Sequence, residues 1–211
     1  MPDEYLNASG FSPLIAQLIY NRGVKPEEID TFLSADRRLE GNPFLLPDIS
    51  QAISRIYKAV LEREKIAVYG DFDVDGVTAT VIIIEGLSRL GAEVIPYIPD
   101  RIDEGHGVKL SALEKLQARG VSLVITVDCG VTDVVEVKRA REMGIDTIIT
   151  DHHIPLRNLS QAIAIVDPKR KDSVYPYPDL AGAGVAFKVL QALFHKDSRE
   201  KWISRLMDLV V

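Results

Sequence analysis

The chain has 211 residues, 46% apolar and 27% charged, which suits a globular protein with one sizeable core. No apolar run approaches the roughly 20 residues of a membrane span, and MPDEYLNASGF lacks a basic segment followed by an apolar one, so neither membrane contact nor an export signal is expected. The net charge of −6 lacks the basic surplus usual in nucleic-acid-binding domains, although acids that hold divalent cations would be locally neutralised.

In chain order, residues 1–64 read as a small helical segment. In FSPLIAQLIYNRG, Ser12 can cap, Pro13 suits the first helical position and Gly23 suits the stop. KPEEIDTFL starts a second helix with Pro26 and two acids early. GNPFLLPD is a turn-rich connector. ISQAISRIYKAVLERE then places Ile49, Ile53, Ile56, Tyr57 and Val60 at helical spacing.

From residue 65 the rhythm changes. The short runs IAVYG, EVIPYI, SLVITV, DTIIT and AIAIV read as strands, and VTATVIIIEGLSRLG, KLSALEKLQARG and TDVVEVKRAREMG read as the helices between the first four. Gly91, Gly120 and Gly144 suit the helix stops. The expected fold class is α/β, a mainly parallel sheet with helices on both faces over residues 65–211, after the helical segment at 1–64. A loop, DPKRKDSVYPYPDLAGAG, and a last helix or two follow. In that loop Lys169, Arg170, Lys171, Tyr175 and Tyr177 read first as a solvated surface, with a nucleic-acid strand channel as the alternative. The apolar end, LMDLVV, is expected to pack against the core or a partner.

Ligands in such folds bind beyond the carboxyl ends of the strands. Asp71, Asp73 and Asp75 follow the first strand, PDRIDEGHG the second, Asp128 the third, Asp151-His152-His153 the fourth and Asp167 the fifth. Three acids at alternate positions repel one another unless something neutralises them. A calcium loop of EF-hand type fits Asp71-x-Asp73-x-Asp75-Gly76 but needs a Glu at its twelfth position, where Ile82 stands. A mixed carboxylate and imidazole set suits Mn²⁺ or Mg²⁺. Two such ions about 3.5–4 Å apart can clamp a phosphate displacement and activate water. Asp75 and Asp128 each also fit a plain helix cap, and His152-His153 fits a structural pair. Cys129, the single cysteine, cannot form an intrachain disulfide and reads as a small buried residue rather than a ligand. It points to a reducing, cytoplasmic setting.

YGDFDVDG, VDCG and TDHH resemble successive motifs of the DHH phosphoesterase superfamily. With LIYNRGVKPEEIDTFL, YIPDRIDEGHG and LAGAGVAFK, the order from about residue 10 onward resembles the N-terminal portion of the RecJ family. That resemblance implies a 5′ to 3′ single-stranded-DNA exonuclease of recombination and repair, using two Mn²⁺ or Mg²⁺ ions. Single-strand-binding protein or a helicase would be its partners. It implies Asp71, Asp73, Asp75, Asp128 and His152 as metal positions, and His153 as a support of the site or a phosphate contact. Asp151 would orient the site. Arg101, His106, Gly182 and Gly184 would stand at substrate positions, with Arg101 offering a phosphate its fork. His106 stands where the family often has Tyr, and Asp167 where Asn is common. Related phosphoesterases of short oligonucleotides or pyrophosphate, and non-catalytic relatives that serve as interaction modules, are the alternatives. The family continues with a further metal-binding Asp and a second domain, so the chain is expected to be a piece of a longer protein. Alone, it is expected to fold, bind one ion more readily than two and show little nuclease activity.

Overall fold

The computed structural model describes residues 1–34, 41–195, 197 and 200–210. Contacts divide the chain into two compact units, Met1–Gly41 and Asn42–Val211. The first unit holds α1 (Asp3–Ser9), α2 (Pro13–Asn21), a 3₁₀ turn (Pro26–Glu28) and α3 (Ile29–Leu33). Its small core joins Tyr5, Ile19 and Ile29, and the Tyr5 hydroxyl donates to the Val24 carbonyl at 2.7 Å. Pro13 occupies the first helical position, but the Ser12 side chain makes no capping bond. Gly23 takes the left-handed conformation that ends α2.

In the second unit a 3₁₀ turn (Pro43–Leu45) precedes α4 (Ile49–Leu61), followed by β1 (Lys65–Tyr69), α5 (Val74–Arg89), β2 (Glu93–Tyr97) and α6 (Leu110–Ala118). Next come β3 (Val121–Val127), α7 (Val134–Glu142), β4 (Asp146–Thr150), β5 (Ala164–Val166), α8 (Gly182–Leu193) and α9 (Glu200–Ile203). All strand pairings are parallel and the order is β2-β1-β3-β4-β5. Successive side chains of a strand face opposite ways. Ile66, Val68, Leu123, Ile125, Val127 and Ile148 therefore join the core under α4, α5 and α8. Ala67, Tyr69 and Val124 join a second core with α6 residues and Ala140 of α7. Both faces are covered, which is why the strands read as near-continuous apolar runs. Pro96 sits in β2, at the sheet edge, where a missing N–H breaks no inner ladder.

The sequence groups α4 with the leading helices, yet Ile49, Ala52, Ile56 and Ala59 belong to the sheet's core. Arg55 of α4 fixes this docking. Its guanidinium donates to both Glu64 oxygens at 3.0 and 2.7 Å, and through Nε to Asp146 Oδ2 at 2.7 Å. Ser122 of β3 donates to the same Glu64 carboxylate. One planar fork thus ties α4 to the amino ends of β1, β3 and β4. At the far end, Leu206 lies in the core, with Trp202, Met207, Leu209 and Val210 packed against it. Among the described residues no helix is long and apolar enough to cross a membrane.

Burial alone would raise the Glu64 pKa, but the bonds from Arg55 and Ser122 outweigh it and hold the carboxyl below its ordinary value. A carboxyl depressed in the folded state stabilises the protein above its unfolded pKa of about 4.3, and that contribution fades as pH falls through the folded value. Asp146 is 40% exposed, so Arg55→Met should cost about 2–3 kcal/mol, below the ~3–5 kcal/mol of a fully buried pair. Glu64→Gln should flatten the acid limb of the stability curve. Urea denaturation across a pH series checks both, and wild-type midpoints in both variants would show that the network contributes nothing.

Candidate metal centre

The strand order places β1 between β2 and β3. The chain leaves β1 outward to β2, then returns past it to β3. Loops at such a reversal leave in opposite directions and open a crevice at the carboxyl ends. Asp71 and Asp73 follow β1 and Asp128 follows β3, so the reversal itself puts these acids face to face. The ladder continues one rung past the strands: Asp128 N–H donates to Thr150 O at 2.9 Å, and Asp151 N–H to Val166 O at 3.1 Å. Asp128, Asp151 and Asp167 therefore end neighbouring strands at one rim, beside a cavity of about 250 Å³ lined in part by Asp71, Asp73, Asp128, Asp151 and His153.

The backbone at Asp128 is left-handed, with φ of 60°, a conformation Asp tolerates better than most residues. It is not a helix cap, since α7 begins at Val134 with Asp133 before it. Its carboxylate is 2% exposed. Oδ1 lies 3.0 Å from His152 Nε2, but off the hydrogen-bonding direction, so this buried oxygen accepts no hydrogen bond. Burial first, then the like charges of Asp75 and Asp73, push its pKa up to about 6 against the pull of His152.

Asp73, rather than Asp75, caps α5: its Oδ1 accepts from Gly76 N–H at 2.9 Å. Asp75 instead reaches across to α8, accepting from Gly182 N–H and Ala183 N–H at 2.7 Å each, where the positive end of the helix suits a carboxylate. Its Oδ2 is 3.6 Å from His152 Nε2. Asp71 is buried, accepts from Phe72 N–H and lies 2.8 Å from His106 Nδ1. Glycines make the close approach possible. A Cβ on Gly76 would stand 2.5–2.7 Å from the Asp71 backbone, and one on Gly182 would stand 2.6 Å from Asp128 Oδ1.

Asp151 organises the histidines. It is 1% exposed, and its Oδ1 accepts from the backbone of His152 and His153 and lies 2.8 Å from His153 Nδ1. Its Oδ2 accepts from Val131 N–H. Burial opposes its ionisation, but the His153 and backbone bonds outweigh burial and hold its pKa below the usual value. The same hydrogen bond pushes the half-exposed His153 up to about 9. The Asp128 carboxylate beside it also raises His152.

Two triads of possible ligand atoms, each within 4.8 Å of one another, emerge among the described residues: Asp71, Asp73 and Asp128, and Asp128, His152 and His153. They share Asp128. Oxygen donors with an imidazole, gathered round a buried carboxylate oxygen without a partner, fit a hard divalent cation. The remaining expected residues spread out. His106 borders the cavity and touches Asp71. Arg101 lies outside its lining, 5.5 Å above the Phe72 ring, which in turn sits 4.2 Å from His106. In the sequence the only mark of Phe72 is being the one aromatic among alternating acids. The Gly182 amide is taken by Asp75, so this glycine contributes clearance rather than a free donor. Gly184 is buried against Leu180 and is not among the residues lining the cavity. Cys129 is buried at the cavity wall, and burial drives its thiol pKa well up. Asp167 is fully buried with Oδ2 unpartnered, is pushed to about 6 by burial, and belongs to neither triad.

Gly76→Ala should cost about 1–3 kcal/mol, because the colliding atoms are backbone and cannot rotate away. An unchanged urea midpoint would show that the Asp71 loop yields freely.

The sequence profile of the DHH family, N-terminal domain, matches residues 65–211. The chain is 44% identical over 183 residues to the single-stranded-DNA-specific exonuclease RecJ of Bacillus subtilis (strain 168), covering 86% of this chain and 23% of that protein. It is 36% identical over 187 residues to the protein of the same name in Escherichia coli (strain K12), covering 86% and 31%. The crystal structure of RecJ with Mn²⁺ from Thermus thermophilus superposes with a TM-score of 0.70 at 30% identity, over 92% of this chain and 27% of that one. The chain thus spans about a quarter to a third of the length of these two curated relatives.

Proposed function

The chain belongs to the DHH family, and on that premise we propose that the gene product carrying it is a metal-dependent exonuclease that degrades single-stranded DNA from the 5′ end in recombination and repair. The observation that carries this reading is the pair of ligand triads sharing Asp128. We assign Asp71, Asp73, Asp75, Asp128 and His152 to hold Mn²⁺ or Mg²⁺, two ions in the complete enzyme. Such ions supply positive charge to a phosphodiester and acidify water.

The chain's own residues set the stage for that chemistry. Asp128, in its left-handed turn, presents one carboxylate to both triads. Asp75, anchored by two α8 amides, holds its charge beside His152. Asp151 is a positioning residue: anchored by Val131 N–H, it fixes both histidines with three further bonds and keeps a proton on His153 Nδ1. His153, held through Nδ1 by Asp151 and half-exposed, offers the rest of its ring to a phosphate oxygen. Arg101 brings its fork to a neighbouring phosphate, held near the rim over Phe72. His106 steadies Asp71 from the cavity side. Single-strand-binding protein or a helicase, which present unpaired DNA, are the partners this activity calls on, in the cytoplasm.

The test is hydrolysis of 5′-labelled single-stranded DNA with Mn²⁺ by the gene product. Loss of supporting partners around a metal costs about 10–100-fold, so Asp128→Ala, which removes the shared carboxylate, should cost at least about 100-fold. Duplex of the same sequence should resist. Near-wild-type turnover by Asp128→Ala, or equal cleavage of duplex, would overturn the reading. Preferential cleavage of dinucleotides or pyrophosphate would move it to the small-substrate phosphoesterases.

A further inference from the structure

His153 lines the central cavity, and the next residue, Ile154, lines a second groove of about 220 Å³. One wall of that groove comes from the segment after β4 and the other from the loop after β5. Ile154, Leu156 and Leu159 expose their apolar side chains there, while Arg157, Lys169 and Lys171 bring positive charge. In a chain of net charge −6 this is a local reversal of sign.

The loop is built to present those cations. Arg170, also in the lining, is only 9% exposed and wholly committed: it donates to Asp48 Oδ2, to Ile165 O and to both oxygens of Asp172. That anchors the loop to the start of α4 and to β5, and it occupies Asp172, the one carboxylate of the groove. Lys169 and Lys171 flank this anchor. Lys171 and Arg157 are exposed and make no hydrogen bond or ion pair with any described residue. Lys169 reaches only Asp179, at 3.8 Å, and that partner is 92% exposed, so solvent screens the pair. Uncommitted cations beside exposed aliphatic side chains, continuous with the catalytic rim, match the phosphates and the unpaired bases of a single strand.

We propose that the groove between residues 154–159 and 169–172 holds the nucleotides next to the scissile phosphate, with Arg157, Lys169 and Lys171 on the phosphates and Ile154, Leu156 and Leu159 against sugars and bases. This assignment rests on the nuclease reading of the neighbouring site and gives the strand its path away from it. A duplex would not suit such a groove, because its bases are stacked inside and cannot reach the apolar wall.

The test is fluorescence anisotropy of a 3′-labelled oligothymidylate with the 211-residue chain, in EDTA so that nothing is hydrolysed, across a salt series. Arg157→Ala and Lys171→Ala should each weaken binding and flatten the salt dependence by about 0.7, the value for one phosphate contact on a single strand. Leu156→Ser should weaken binding of the oligonucleotide and leave binding of inorganic polyphosphate unchanged. Wild-type affinity and slope in all three variants, or no strand binding by the wild type, would overturn the groove. Equal preference for polyphosphate with no effect of Leu156→Ser would reduce it to a general anion site and overturn the strand assignment. Groove variants that bind like wild type, while Asp128-dependent hydrolysis persists, would sink the groove alone. Weakened binding in those variants without any such hydrolysis would sink the nuclease reading and keep the groove.

Discussion

The rest of the centre is arranged around one buried carboxylate oxygen, Asp128 Oδ1, which has no hydrogen-bond donor. An isolated charge in a protein interior is strongly unfavourable, and other carboxylates nearby make it worse. Asp73 and Asp75 are such neighbours, and both push Asp128 toward protonation. Each surrounding feature keeps this oxygen in place. The left-handed turn aims it, the rung to Thr150 fixes the turn, and Gly182 leaves room for it at the head of α8. A divalent cation resolves the conflict that these features otherwise maintain.

The two ends of the sheet divide the labour. At the amino end, Arg55 gathers Glu64 and Asp146 into a satisfied ion-pair network. At the carboxyl end the acids are held by backbone amides, and among the described residues no Lys or Arg ion pair reaches Asp71, Asp73, Asp75, Asp128 or Asp151. Amide anchoring fixes a carboxylate without filling it with a competing cation. The sheet's satisfied ion pairs thus gather at its amino end, and the candidate metal centre lies where no Lys or Arg pairs the acids.

Much of this was legible in the sequence. The alternation of apolar runs and helical patterns marked five parallel strands, and the acids after them marked the rim. What escaped depends on partners far away in the chain. Asp75 before Gly76 looks locally like a cap, but its amides come from 107 and 108 residues further on. Arg170 looks like one more exposed cation of a basic loop, but Asp48, 122 residues earlier, draws it inward. The family resemblance sets Gly182 at a substrate position, but Asp75 takes its amide. Helix α4 reads as part of a helical leader because its pattern is helical, whereas its membership is decided by which core its apolar face meets. Local pattern sets the element; long-range contact sets its role.

The central claim is that Asp128 is the shared ligand of a divalent-metal centre. The most direct measurement is the anomalous difference map of crystals of this chain soaked in Mn²⁺. The account predicts a peak within bonding distance of the Asp128 carboxylate, among Asp71, Asp73 and His152. Saturating Mn²⁺ with no peak there, or with peaks only at surface acids such as Asp172 or Asp179, would contradict it.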